Sequence, residues 1–331
     1  MTKTIGICVW AVLLAAAPGV EAQDAPAKAP EEYKPPGKRL LVRFVETRLR
    51  GESTTATRPC TVALHADAGR ARVFVGTQAA ITVAEKNAPA NMFKSAGVEA
   101  RVGVTTLPDG RYRLDARFEE SSVLAASTGT DATTAGGNPI LQVVKGQSQV
   151  TLREGETVPF VNAVDPVTGE VVRVDLTVTA APSAKPTPAA EREEARLRAQ
   201  LVLVRRQGGS RIARRPYGVL LQTGGEEAAN VFSGSQLPVQ VRMNDQTTVA
   251  FKDVGAGLRL KARRIPDGRY RLDIDFSDGV LAPGKDLPWI RTFESESQLF
   301  VQEGETLTVA TAVDPQTGEV VEAEVTVERV P

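Results

Sequence analysis

The chain has 331 residues, 42% of them hydrophobic, and 40 basic side chains balance 40 acidic ones. This length can bury a normal core in each of two domains, and the zero net charge excludes a global field that draws nucleic acid or anionic membranes. Two cysteines and one histidine exclude a disulfide-rich scaffold and leave too few ligands for a tetrahedral zinc site.

The N-terminus predicts a signal peptide at residues 1–22. Lys3 precedes the apolar stretch Ile5–Ala17, which is shorter than the about 20 residues of a spanning helix, and Val20-Glu21-Ala22 presents small residues to a signal peptidase. We expect cleavage after Ala22 and a periplasmic or, alternatively, secreted protein; an uncleaved membrane anchor is the other interpretation. Cleavage leaves Cys60 as the single cysteine, which we expect to be a small buried apolar group rather than a reactive thiol.

Two Pro/Ala-rich stretches divide the rest of the chain. Residues 23–38 predict a flexible leader, and residues 181–195 predict a linker between a β domain at 39–180 and a second β domain at 196–331. The charged stretch Glu191–Gln200 is interpreted as a short helical segment before the second domain.

The two predicted domains are copies of each other. Leu107–Phe118 reads LPDGRYRLDARF and Ile265–Phe276 reads IPDGRYRLDIDF, while AVDPVTGEVV at Ala163–Val172 returns as AVDPQTGEVV at Ala312–Val321. Upstream, RVFVG ending at Gly76 aligns with NVFSG. A repeat of this length predicts two copies of one folding unit. The first copy has nine additional residues, which we assign to a polar loop at residues 126–138.

Each copy alternates apolar and polar residues with a period of two. Tyr112, Leu114, Ala116 and Phe118 alternate with charged residues, and the second copy repeats the pattern. Such alternation is typical of strands with one buried face. Gly, Pro and Asp punctuate the chain at short intervals, so the fold is predicted to be all-β, with two tandem antiparallel sandwich-like or barrel-like domains.

Residues that suggest catalysis have simpler interpretations. The Pro-Asp-Gly segments, the Asp-Pro segments at Asp165 and Asp314, and the pair Glu154 and Glu156 are all typical of turns. Three aspartates, Asp273, Asp275 and Asp278, could contribute to a calcium site but are interpreted as solvent-facing strand residues. No catalytic set, metal site or cofactor motif assembles, so we expect no enzyme and no cofactor.

Two features are candidates for binding. An arginine cluster on a predicted hairpin could contact an anionic glycan, lipid or protein, and a solvated turn is the alternative. Trp289 is a candidate interface anchor or, equally, a core residue. The arginines are Arg205, Arg206, Arg211, Arg214 and Arg215.

The order of motifs resembles the C-terminal β-domain of bacterial secretins. In both copies a glycine opens a strand, a Pro-Asp-Gly turn leads into the alternating strand, and Glu-Gly-Glu-Thr precedes a hydrophobic strand. The matching stretches are Gly97, Pro108–Phe118 and Glu154–Thr157 in the first copy, and Gly234–Val239, Val254-Gly255, Pro266–Phe276 and Glu303–Thr306 in the second. The Gly-Gly-Leu segment and the transmembrane hairpin pattern of secretins are missing, so the resemblance implies a periplasmic relative without the channel.

These observations together predict a non-enzymatic envelope protein with a structural or interaction role. We expect its partner to be another envelope protein, such as a component of a secretion or pilus system, added to an exposed edge strand. We expect no nucleic-acid partner and no integral membrane protein after signal cleavage. The alternative function is binding of an anionic glycan or lipid through the arginine cluster.

Overall fold

Every regular element in the described part of the chain is a β-strand. A computed structural model describes residues 37–85, 88–124, 140–165, 168–181, 195–223, 228–243, 246–282 and 289–330. Across these ranges no helix has the length and apolar character needed to span a membrane. The first copy forms β1 (Arg39–Arg50), β2 (Ser53–His65), β3 (Arg70–Glu85), β4 (Ala88–Thr106), β5 (Tyr112–Leu124), β6 (Ile140–Leu152), β7 (Thr157–Val164) and β8 (Val171–Ala180). The second copy forms β9 (Arg196–Gln207), β10 (Ser210–Gln222), β11 (Ala229–Met243), β12 (Gln246–Arg264), β13 (Tyr270–Ala282), β14 (Trp289–Val301), β15 (Thr306–Val313) and β16 (Val320–Val330).

The strands form two antiparallel eight-stranded sheets, and each copy gives four strands to each sheet. We call them sheet A, in the order β10-β9-β16-β15-β2-β1-β8-β7, and sheet B, in the order β11-β12-β13-β14-β3-β4-β5-β6. The copies meet where β15 pairs with β2 and β14 pairs with β3. The all-β antiparallel prediction is therefore confirmed. The exact domain boundaries remain a prediction, and residues 182–194 of the linker and the loop 126–138 lie outside the described residues.

One hydrophobic core fills the space between the sheets and continues across both copies. The alternation predicts its members correctly, because Tyr112 to Phe118 and Tyr270 to Phe276 place every second side chain inside with at most 4% exposed. The rings of Phe44 in sheet A and Phe118 in sheet B lie 6.2 Å apart. Burying each such large apolar side chain contributes about 1.5–3 kcal/mol, so the sandwich rests on apolar packing.

The turns follow the sequence prediction and the helix does not. Gly110 and Gly268 adopt φ of 80° and 88° after their aspartates, and the Asp314 carboxylate accepts hydrogen bonds from the amides of Gln316 and Thr317. The predicted helix at Glu191–Gln200 is wrong in its described part, because β9 begins at Arg196 and pairs with β10 and β16. These two strands satisfy its backbone groups and override local propensity.

Paired glycines allow the backbones of sheet B to approach closely at one point in each copy. Gly76 lies opposite Gly97, and Gly234 lies opposite Gly255. A Cβ on Gly255 would lie 2.4 Å from the Gly234 Cα, and the φ of Gly255 is +148°. Only glycine combines this dihedral with this contact.

We expect Gly255→Ala to lower the free energy of unfolding by at least about 2 kcal/mol, because it adds backbone strain and a backbone clash. Gly218→Ala is the matched control: its Cβ would meet only the Ala199 carbonyl oxygen, at 3.9 Å, so the change should stay under about 1 kcal/mol. Denaturant unfolding measures both. Equal effects would contradict the role assigned to the glycine pair.

Candidate interaction edges

The internal junction between the copies is a continuous strand-to-strand contact. In sheet B, eight residue pairs join β14 to β3, from Trp289 opposite Ala79 to Glu296 opposite Arg72. In sheet A, β15 pairs with β2 over three residue pairs. The Arg72 guanidinium lies 2.9 Å from the Glu294 carboxylate across the junction. Each copy therefore satisfies backbone donors and acceptors that the other would leave exposed at a sheet edge.

The four strands at the outer ends of the sheets are the counterparts of the four junction strands. Sheet A ends in β10 and β7. β10 is the counterpart of β2 in the other copy, and β7 is the counterpart of β15. Sheet B ends in β11 and β6, the counterparts of β3 and β14. One end of the molecule thus presents β10 and β11, and the other presents β6 and β7. Within the described ranges no strand pairs with the outer edge of either end, so the two ends are uncovered counterparts of the two halves of the junction.

Side chains at equivalent positions of the junction and of a free edge differ in solvent exposure. Phe74 in β3 is 5% exposed, whereas its counterpart Phe232 in β11 is 50% exposed. Val143 in β6 and Val164 in β7 are also large apolar residues exposed at a free edge. Exposed apolar edge strands are sites where further strands add, unless proline or charge blocks them.

A buried group of ionic side chains joins the two sheets in each copy. The first ion cluster contains Arg48 and Arg58 of sheet A, which contact Glu120 of sheet B at 2.5 and 2.7 Å. The second ion cluster contains Arg205 and Arg215 of sheet A, which contact Asp278 of sheet B at 2.8 and 3.3 Å. The positions match, because Arg48 and Arg205 are the tenth residues of β1 and β9, and Arg58 and Arg215 are the sixth residues of β2 and β10. The first ion cluster also includes Glu46, Glu170, Asp165 and Arg50, and the second includes Glu319 and Arg291.

The structure separates the arginines that the sequence grouped together. Arg205 is buried and ion-paired, so its assignment to an exposed anion-binding hairpin is wrong; Arg215 is exposed but contacts the same Asp278. Arg206 is 3.7 Å from Glu322, and of these five arginines Arg211 and Arg214 are exposed and have no ion pair within 4.0 Å among the described residues. Binding of an anionic partner through this hairpin stays a prediction.

The structure also locates the remaining residues that the sequence singled out. Trp289 begins β14 and is half-buried at the internal junction, where strands pair on both sides of it. Asp278 is 1% exposed, so its interpretation as a solvent-facing residue is wrong. Cys60 is buried as predicted, and burial raises the pKa of its thiol to about 12. Within the described ranges no three His, Cys, Asp or Glu side chains gather as metal ligands.

No family model matches the chain, and no curated protein matches it either. Solved structures that are similar include the Salmonella type III injectisome secretin InvG, with 9% identity, a TM-score of 0.31, and coverage of 88% of this chain and 64% of that one. The enterotoxigenic Escherichia coli pilotin–secretin complex AspS–GspD has 8% identity, a TM-score of 0.30, and coverage of 90% and 50%. The Vibrio cholerae competence-pilus secretin PilQ has 12% identity, a TM-score of 0.26, and coverage of 89% and 61%.

The chain therefore spans between half and two thirds of the length of these secretin chains. All three are secretin structures, in agreement with the resemblance drawn from the sequence, and similarity at this level does not bear on function.

We expect Arg205→Met to lower the free energy of unfolding by about 3–5 kcal/mol, because it leaves the buried Asp278 carboxylate without its closest cation. Arg206→Met is the control on the next residue: its ion pair with Glu322 is 43% exposed on the arginine side, so its loss should cost less than about 1 kcal/mol. Denaturant unfolding of both variants gives the comparison, and similar losses would argue against a structural role for Arg205.

Proposed function

We propose that this chain is an exported, non-enzymatic structural protein of the periplasm that builds β assemblies by edge-strand addition. Its partners would be envelope proteins of a secretion or pilus system, and the partner that its edges fit best is another copy of the same chain. The observation that carries the proposal is the equivalence of the two free ends with the two halves of the internal junction. Edge addition supplies affinity through backbone hydrogen bonds.

The register of the internal junction transfers directly to the free ends. In sheet B it would place residues 140–147 of β6 opposite residues 230–237 of β11 in the next molecule, with Lys145 opposite Phe232. In sheet A it would place residues 161–163 of β7 opposite residues 217–219 of β10. Both contacts form together, because the same two sheets are stacked at either end.

The charged residues and prolines of the edge strands are compatible with this contact. Lys145 is the single charged residue among the positions that would pair, so no like charges face each other. Pro159 in β7 lies outside the transferred pairs. Pro216 corresponds to Pro59 of β2, which already lies next to the paired residues of the internal junction. The positions that would pair therefore lack the like charges and badly placed prolines that protect many edge strands.

We expect Phe232→Lys to weaken self-association at least tenfold, because it removes an apolar contact and places a lysine opposite Lys145. Asn230→Glu should strengthen self-association a few-fold, because it returns an acid–base pair to the position where Arg72 and Glu294 pair internally. Light scattering over a concentration series measures both changes at low salt.

Leu281→Lys is the matched control, since Leu281 is 51% exposed but lies in β13, two strands in from the free edge strand β11. It should leave association unchanged. A natural chain that stays monomeric at all soluble concentrations and captures no envelope protein on cross-linking would refute edge addition altogether.

Export gives an independent prediction, because a periplasmic role requires removal of the signal peptide. We expect the mature protein to begin at Gln23. Mass spectrometry of the N-terminal peptide from a periplasmic fraction measures this directly. A cytoplasmic protein that retains residues 1–22 would contradict the proposed location.

A further inference from the structure

The two ion clusters differ at one buried position. Glu46 is the eighth residue of β1 and is 1% exposed; the eighth residue of β9 is Leu203, which is equally buried. The second copy therefore closes the same space between its sheets with an apolar side chain. The ion contacts of the first cluster join four carboxylates to three arginines, whereas those of the second join two carboxylates to three arginines. The carboxylates of the first are Glu46, Glu120, Asp165 and Glu170, and those of the second are Asp278 and Glu319.

Glu46 and Glu120 approach the same two guanidinium groups. Arg58 Nη1 lies 3.2 Å from Glu46 Oε1 and 2.7 Å from Glu120 Oε1. Arg48 donates from Nε to Glu46 at 2.9 Å and from Nη2 to Glu120 at 2.5 Å. Glu46 comes from sheet A and Glu120 from sheet B, and both are at most 4% exposed. Two carboxylates held this close and this deep repel each other when both are ionised.

The remaining charges around the pair offset this repulsion only in part. The neighbouring groups are Arg48 and Arg50 of β1, Arg58 of β2, and Asp165 and Glu170 at the turn before β8. Arg50 is 69% exposed and contacts Glu170 rather than the pair. Arg48 is shared among all four carboxylates of the first ion cluster.

We propose that Glu46 holds a proton beside the Glu120 carboxylate, and that the loss of this proton weakens the contact between the two sheets in the first copy alone. Burial, together with the charge of Glu120, raises the pKa of Glu46 to about 7 from its ordinary value of 4.5. The folded protein therefore holds this proton in a pH range where the unfolded chain has released it. The stabilisation is complete below pH 4.5 and is lost as the pH rises through about 7. The first copy is thus a pH-responsive element, independent of the proposed edge addition.

His65 acts in the opposite direction and must be separated from Glu46. Burial, together with the charges of Arg269 and Arg39, lowers the pKa of His65 to about 3 from 6.5. Its neutral form stabilises the fold above pH 6.5, and this contribution is lost as the pH falls toward 3. Between pH 4.5 and 6.5 the two effects compensate in the natural chain, so only a comparison of variants isolates Glu46.

The test compares the natural chain with Glu46→Gln and Glu46→Leu, the latter carrying the residue that the second copy uses. The ratio of the unfolding equilibrium constants, natural chain to variant, should rise by up to about tenfold per pH unit from pH 4.5 to 7 and then level off. The infrared spectrum of the natural chain should show a protonated carboxyl band that titrates near neutral pH and is missing from both variants.

A ratio that does not change with pH would overturn the proposal. So would a natural chain without a protonated carboxyl band at pH 6, an observation that needs no variant to fold. Light scattering at pH 5 and pH 8 measures self-association, which tests edge addition, whereas the unfolding ratio and the infrared band test the Glu46 proton. Either proposal can therefore fail while the other holds.

Discussion

The structure depends on the pairing of unlike edges at the internal junction. A two-fold contact would join β14 to β14 or β3 to β3 and use up the same edge in both copies. This chain instead joins β14 of one copy to β3 of the other, and β15 to β2. Such a contact is heterologous, and because the two copies do not close into a ring it leaves one half unused at each end. The uncovered edges are therefore a geometric consequence of how the duplicated halves are joined.

The sequence predicts strands and turns well because both depend on local pattern. Alternation at Tyr112–Phe118 identifies the buried face, and aspartate followed by glycine identifies the turns. The helix at Glu191–Gln200 is wrong because pairing partners distant in sequence decide the conformation of β9. The junction itself was not predictable, since a repeat shows that two units are alike but not which of their edges meet.

The ion clusters were missed for a different reason. Glu120 and Asp278 continue the two-residue spacing of the buried apolar residues before them in their strands. Arg48 and Arg205 do the same in theirs. Strict alternation therefore places all four inside. We interpreted Asp278 as solvent-facing and placed Arg205 on an exposed hairpin, although a charge is costly to bury only when it lacks a partner; Glu120 and Arg48 drew no prediction. A charged residue at an inward position in one strand, matched by the opposite charge at an inward position in another, is the signal that would have found them.

Differences between the junction and the free ends set the expected strength of each contact. At the junction, Arg72 pairs with Glu294, and His65 packs its ring edge-on against Phe300 with centroids 4.9 Å apart. The counterparts at the free ends are Asn230 and Lys145 for the ion pair, and Gln222 for His65. Copies within one chain are also held together by the chain itself, which raises their effective concentration. The ends keep the backbone pattern and the apolar side chain but lack the ion pair and the ring contact, so association between molecules should be weaker and reversible where the internal junction is permanent.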